Sequence, residues 1–150
     1  MTNVGGTGPT YASGMVIQVV TASTTTTVGT NSNTQSDTTL TATITPKSAN
    51  SKIIVITSQS IFKSSGNAEN QLNLFLYRDS TQIFTQALNE LGTGTATSFQ
   101  GTKSSTYVDS PNTTSAVTYK TRFSNYNTSS YVYVQQYNVP STITLLEVAA

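Results

Sequence analysis

Six carboxylates are the whole acid inventory of this 150-residue chain: Asp37, Asp79, Asp109, Glu69, Glu90 and Glu147. Two carboxylates facing one another across a sugar would suffice for glycoside hydrolysis. Only Glu69 and Glu90 are spaced for it, because they flank one predicted hairpin. Solvated loop acids are the plainer reading of that spacing, and the one expected. Glu147 lies in an apolar stretch, and Lys120 and Arg122 on another predicted strand are its expected ion-pair partners.

The other routes to chemistry are closed by composition. The chain has no Cys and no His. Thiol nucleophiles, Cys-based zinc sites and every triad that uses imidazole are therefore excluded. No stretch follows the Asp-rich spacing of a calcium loop. Gly5-Gly6-Thr7-Gly8 lacks the Lys-Ser/Thr that completes a phosphate loop, so it reads as backbone freedom. Asn112-Thr-Thr and Asn127-Thr-Ser match the glycosylation pattern, but a chain this rich in Ser and Thr produces such matches by chance. No catalytic residue, cofactor or metal is expected, and the chain reads as a non-enzyme.

Tyrosines offer more. Tyr126, Tyr131, Tyr133 and Tyr137 crowd into one late segment. Extended backbone would put Tyr131, Tyr133, Gln135 and Tyr137 on one strand face. Such a row suits a subunit interface, ordinary half-buried packing, or stacking on a glycan.

Composition limits the partners. Seven Lys and Arg balance six acids, for a net charge of +1, and only 9% of residues are charged. That gives no electrostatic footprint for nucleic acid or an anionic membrane. About a third of the chain is Ser or Thr, so hydroxyls and amides do the work of charge at the surface. The first apolar run, Met15 to Val20, is too short for an export signal or a span. The texture is extracellular without an export address, a combination expected of a virion protein released by lysis.

These residues must be positioned by β-strands. Residues 1–14, with several Gly and Pro9, read as an extended N-terminal arm, and residues 15–150 as one β-sandwich domain. Strands are predicted at Met15–Val20, near Ser23–Val28, at Leu40–Ile44 and at Lys52–Ile61. Further strands are predicted at Gln71–Tyr77, Gln82–Gln86, around Ser98–Gln100 and Thr106–Val108, and at Val117–Phe123, Tyr131–Tyr137 and Ser141–Val148. Leu88–Thr97 reads as a loop. Ile53-Ile54-Val55-Ile56 is apolar on both faces, which predicts a strand covered on both sides. One cover is the protein's own second sheet, and the other could be a neighbouring subunit. No segment carries a sustained helical period. The expected class is all-β, an antiparallel sandwich or jelly roll. Its sheet edges have few charges to guard them, which favours association, with a trimer as the simplest guess.

The order of blocks is also familiar. Gly14-Met-Val-Ile-Gln-Val-Val20, Leu40-Thr-Ala-Thr-Ile-Thr-Pro46, Ser51-Lys-Ile-Ile-Val55, Gln71-Leu-Asn-Leu-Phe-Leu-Tyr-Arg78, Tyr107-Val-Asp-Ser-Pro111, Thr118-Tyr-Lys-Thr-Arg-Phe123 and Ser141-Thr-Ile-Thr-Leu-Leu-Glu-Val148 follow in sequence. In this the chain resembles small β-rich virion surface proteins of marine and freshwater tailed phages, including cyanophages. The resemblance implies a virion exterior protein made in the host cytoplasm, either a head decoration or cement protein or a tail-fibre module. It carries no catalytic motif. The partners it implies are copies of the chain, the major capsid protein or tail components, and for a fibre a host surface glycan. Val4, Pro9 and Tyr11 in the arm are the expected attachment residues.

Overall fold

The computed structural model describes residues 10–150. Ten strands follow in order: β1 (Val16–Thr24), β2 (Val28–Thr30), β3 (Ser36–Ile44), β4 (Lys52–Lys63), β5 (Leu72–Arg78), β6 (Thr81–Glu90), β7 (Phe99–Asp109), β8 (Val117–Asn125), β9 (Val132–Val134) and β10 (Ser141–Val148). Every pairing is antiparallel.

Two sheets pack face to face. One runs β3-β8-β5-β6. The long strands of the other run β1-β10-β4-β7. Chain order alternating between sheets in this way is the strand order of a jelly roll. The short strands β9 and β2 complete the second sheet. β10 pairs with β4 from Lys52 to Ser58, and β9 takes over the same edge at Ile61 to Lys63.

Period-two alternation selects the core. Leu40, Ala42 and Ile44 of β3, Ile53 and Val55 of β4, and Ile143 and Leu145 of β10 all point inward and are buried. So do Leu72, Leu74 and Leu76 of β5. These side chains form two separate apolar clusters. One gathers Leu40, Ile44, Ile53, Val55, Leu76, Tyr119, Ile143 and Leu145. The other gathers Ile61, Leu72, Leu74, Phe123, Val132 and Val134.

A buried polar belt divides them. Gln59 of β4 is fully buried; it accepts from Thr121 Oγ1 at 2.9 Å and donates to Ser141 Oγ at 3.0 Å. Thr121 also meets Thr38 of β3. One position along, Gln86 of β6 donates to Thr57 Oγ1 at 2.9 Å, and Thr57 meets Ser105 of β7. Gln135, beyond β9, closes the belt. Its amide satisfies both ends with Nε2 donating to the carbonyls of Thr26 and Thr38 and Oε1 accepting from Gln59 and Ser141.

Several expectations change. β6 continues to Glu90, through residues expected in a loop, and β7 is one unbroken strand. The strand expected near Ser23–Val28 is instead split, with β1 ending at Thr24 and β2 beginning at Val28. The strand expected over Tyr131–Tyr137 stops at Val134. There Gln135, Tyr137 and Asn138 adopt left-handed backbone, at φ 52°, 58° and 57°. The turn rotates Gln135 into the belt, where its amide finds partners that a continuing strand would deny it. Of the expected arm, Val4 and Pro9 lie outside the described residues. Tyr11 is half exposed beside Ile17, Lys47 and Ser48. Gly14 N–H donates to the Ala149 carbonyl at 2.8 Å, so the first strand is entered beside the last.

Gln59→Ala removes the belt's central partner and leaves Thr121 and Ser141 short of hydrogen bonds in a dry interior. It is expected to cost about 2–4 kcal/mol in chemical denaturation. An exposed control such as Thr142→Ala should move stability by less than about 0.5 kcal/mol.

Candidate functional site

The acids sort first, because they would have to do any chemistry. Asp109 is bound by Arg78 Nη1 at 2.8 Å and accepts from the Tyr119 hydroxyl at 2.7 Å. Asp37 bridges Lys120 at 3.2 Å and Arg122 at 3.0 Å. Asp79 Oδ1 accepts from the Thr118 N–H at 2.9 Å, fixing the β5–β6 turn to β8. Glu90 pairs with Lys103, while Glu69 is exposed in the turn before β5. Glu69 and Glu90 are thus not a facing pair left free for sugar chemistry.

Glu147 is not the partner of Lys120 and Arg122. It points into the sandwich end and is fully buried; it accepts from the Lys47 N–H at 2.6 Å and from the Gln18 amide at 3.0 Å. Lys120 and Arg122 point outward from the opposite sheet to Asp37. The expected cross-strand pair fails because strand alternation sends the two sides to different faces. Among the described residues, no three His, Cys, Asp or Glu side chains gather as a metal site. Nor is any helix there long and apolar enough to cross a membrane.

Interior ionisable groups are likewise held for structure. Lys63 is buried and donates to the carbonyls of Ala68 and Thr95 and to Thr93 Oγ1, tying down the loop after β6. Burial, reinforced by the Asp109 carboxylate, pushes the Tyr119 phenol well above the usual tyrosine range.

What remains is surface, and the two outer faces differ. The outer face of the β3-β8-β5-β6 sheet is charged and hydrogen-bonded. Asp37, Lys120 and Arg122 lie there, the Arg122 guanidinium sits 5.2 Å from the Tyr77 ring centroid, and Tyr77 donates to Gln35. The outer face of the other sheet is nearly uncharged. Val19, Leu146, Ile54 and Val108 stand directly opposite one another across β1, β10, β4 and β7. They make an unbroken apolar row over four strands. Val19 is 58% exposed and Val108 56%. The next row, Thr21, Thr144, Ile56 and Thr106, adds Ile56 to the patch and a border of hydroxyls. Ile54 and Ile56 therefore face away from the protein's own second sheet.

The far end of the same face is aromatic. Phe62 of β4 is the base. The Tyr133 ring lies 6.0 Å from it and the Tyr137 ring 5.7 Å, both edge-on. Tyr131 stacks on Tyr133 at 5.8 Å. Tyr131 and Tyr137 are 45% and 69% exposed. Three of the four tyrosines singled out by sequence therefore meet here. Tyr126 stands apart, exposed in the turn after β8 and stacked on none of them among the described residues. Gln135, expected on the same face, is inside.

Sequence reasoning missed Phe62 and Gly29. Gly29 pairs with Tyr133, whose ring lies over it so closely that a Cβ there would overlap the ring. A lone Gly opposite an aromatic in a paired strand was the available signal. The apolar row needed strand order as well as pattern, because its members come from four distant segments.

No family model matches the chain, and no curated protein does either. Solved structures do. The VP2 subviral particle of infectious bursal disease virus aligns with a TM-score of 0.50 and 14% identity, over 89% of this chain and 37% of that one. VP2 in T=1 particles derived from the same virus gives 0.49 and 13%, over 90% and 37%. Dimeric latent PorU of Porphyromonas gingivalis gives 0.43 and 10%, over 95% and 14%. The first likeness is one of fold, and the chain spans about two fifths of the VP2 chains it matches.

Two outcomes test this geometry. Gly29→Ala must swing the Tyr133 ring aside and break its stack with Tyr131; a loss of about 1–3 kcal/mol is expected, with the aromatic proton shifts of both rings moving toward random-coil values. Tyr119 stays protonated in the fold while an unfolded tyrosine ionises near pH 10. The native state thus holds the proton that the unfolded state releases. Stability from this group is complete below that pH and falls as pH rises past it. Tyr119→Phe should flatten this alkaline decline in denaturation midpoints.

Proposed function

We propose that this chain is a non-enzymatic structural subunit of a bacteriophage virion, displayed on its exterior and joined to copies of itself through the outer face of the β1-β10-β4-β7 sheet. The row Val19–Leu146–Ile54–Val108 carries this reading. A single apolar residue on a surface needs no explanation, whereas a contiguous apolar band does. The band is bordered by hydroxyls and, apart from Lys52 at its rim, lacks charge. A surface without a charge pattern has nothing with which to select a partner of opposite pattern, and an uncharged stretch of another copy can cover it. The jelly-roll fold supports the reading, as does the likeness to VP2, a protein seen in viral particles. So does the engagement of five of the six acids in structural contacts.

A head decoration or cement protein is the favoured role, with a trimer as the favoured assembly and the major capsid protein as the surface beneath. Residues 1–14, including Val4, Pro9 and Tyr11, would lie along the shell. A tail-fibre or receptor-binding module is the second reading, and the exposed tyrosines are what favour it.

Ile54→Lys places a charge at the middle of the band without touching the inward side of β4. Light scattering after size exclusion should show the native protein as a defined oligomer and this variant as a folded monomer. A native protein that is monomeric at every accessible concentration removes the self-association. Imaging intact particles with the subunit located decides between head and tail; absence from the particle removes the virion reading altogether.

A further inference from the structure

We infer that the aromatic cluster of Phe62, Tyr131, Tyr133 and Tyr137 is a binding subsite for a neutral pyranose. The inference rests on the cluster's own geometry and holds wherever the subunit sits on a particle.

Ring orientation is the first ground. A pyranose presents a flat patch of C–H bonds, which packs against an aromatic face while its hydroxyls stay hydrogen-bonded at the rim. Tyr137 and Tyr131 are the two exposed residues of the cluster and can offer such faces. Both are fixed from below. Phe62 is only 7% exposed and holds Tyr133 and Tyr137 edge-on, and Tyr133 in turn carries Tyr131. Rings held this way lose little freedom on binding, which a weak, shallow ligand requires.

Backbone cost is the second. Gln135, Tyr137 and Asn138 all occupy left-handed conformations that side-chain-bearing residues rarely adopt. Burial of Gln135 explains the first of these. It does not explain why Tyr137 is carried outward onto Phe62 and left 69% exposed. Strain that ends in an exposed, oriented ring is a mark of a binding surface.

Chemistry around the rings is the third. Gln100 lies opposite Phe62 on β7 and shares the outer face. Gln136 and Asn138 flank Tyr137, and Ser129 and Ser130 precede Tyr131. Lys63, the nearest charge in sequence, points into the interior. Amides and hydroxyls match the hydroxyls of a neutral sugar, and among the described residues no cation joins the ring contacts of the cluster to meet a phosphate, sulfate or carboxylate. The cluster also stands apart from the apolar row. Eight residues of β4 separate Ile54 from Phe62, about 26 Å along a strand. Ligand binding and subunit association therefore need not compete.

The experiment is a screen of the intact protein on an array of neutral oligosaccharides, with each hit titrated by tyrosine fluorescence, which no tryptophan obscures. Tyr137→Ala and Tyr131→Ala should each weaken the hit about tenfold or more. Tyr126→Ala, an equally exposed tyrosine outside the cluster, should leave it unchanged. Gly29→Ala, which displaces the platform without removing a ring, should weaken it as well. Near-ultraviolet circular dichroism verifies that each variant is folded. Binding to no neutral saccharide overturns the inference, as does preference for anionic glycans or equal loss in Tyr126→Ala. A drop in oligomer mass on Tyr137→Ala, with no glycan effect, would reassign the cluster to an interface and overturn it equally.

Discussion

The carboxamide of Gln59 sits wholly buried between two apolar clusters, with Thr121 on one side and Ser141 on the other. Few contacts in the molecule reach so many elements. Through Thr121 it connects to Thr38, which links β4 to β8 and β3. Through Ser141 and Gln135 it connects to the start of β10 and the end of β9. A sandwich built from small alternating side chains is weakly specified in register, because a slip of two residues returns a similar pattern to the core. Repeated Thr-x-Thr segments make this chain especially prone to that error. A belt of directional hydrogen bonds has a single satisfactory alignment, and misalignment would bury several polar groups without partners. Register is set by the belt; the apolar clusters on either side supply most of the burial.

Surface features follow from that alignment. The register that brings Gln59 to Ser141 also sets Ile54 opposite Leu146 and Val108. The apolar row exists only because four strands are held in step. Phe62 likewise reaches Tyr133 because β9 takes up the edge of β4 that β10 vacates. The handover between the two partners lies beside Gln135, the residue the belt draws inward. The left-handed backbone begins at Gln135, where the belt closes between β9 and β10, and Tyr137 follows two residues later. Core polarity and surface aromaticity are linked through five residues of chain.

Fold class was legible because it depends on alternation, and alternation is local. Leu40, Ala42 and Ile44, or Leu72, Leu74 and Leu76, announce an inward face with no knowledge of their neighbours. The double-sided apolarity of Ile53 to Ile56 was equally readable, and its outward half is the centre of the row. Less legible were features that require knowing which strands are neighbours. The Glu147 pairing failed for this reason, since charge complementarity in sequence says nothing about which sheet a residue joins. The end of β9 was missed because Val-Tyr-Val-Gln-Gln-Tyr alternates well enough to continue. Only the buried hydrogen bonds of Gln135, made to residues up to 109 positions away at Thr26, turn it aside. Clustering of the tyrosines was visible in sequence; their common anchor, Phe62, lies about seventy residues upstream and became visible only through pairing.

The two outer faces give the clearest physical argument about what such a molecule is for. Both sheets cover the same core, so folding alone would permit either face to carry charge. One does, with Asp37, Lys120, Arg122 and Tyr77 linked across strands. The other withholds charge over four strands and places aliphatic side chains in register instead. Charged outward residues are the ordinary means by which sheets avoid unwanted association. Three of the chain's few charges, those of Asp37, Lys120 and Arg122, stand together on that face. The face left without them is the one whose β7 edge runs eleven residues with no irregularity in its pairing to β4. The only charged residues of β7, Lys103 and Asp109, are both drawn to partners within the fold. This is the physical ground on which we propose that the undefended sheet lies against another surface.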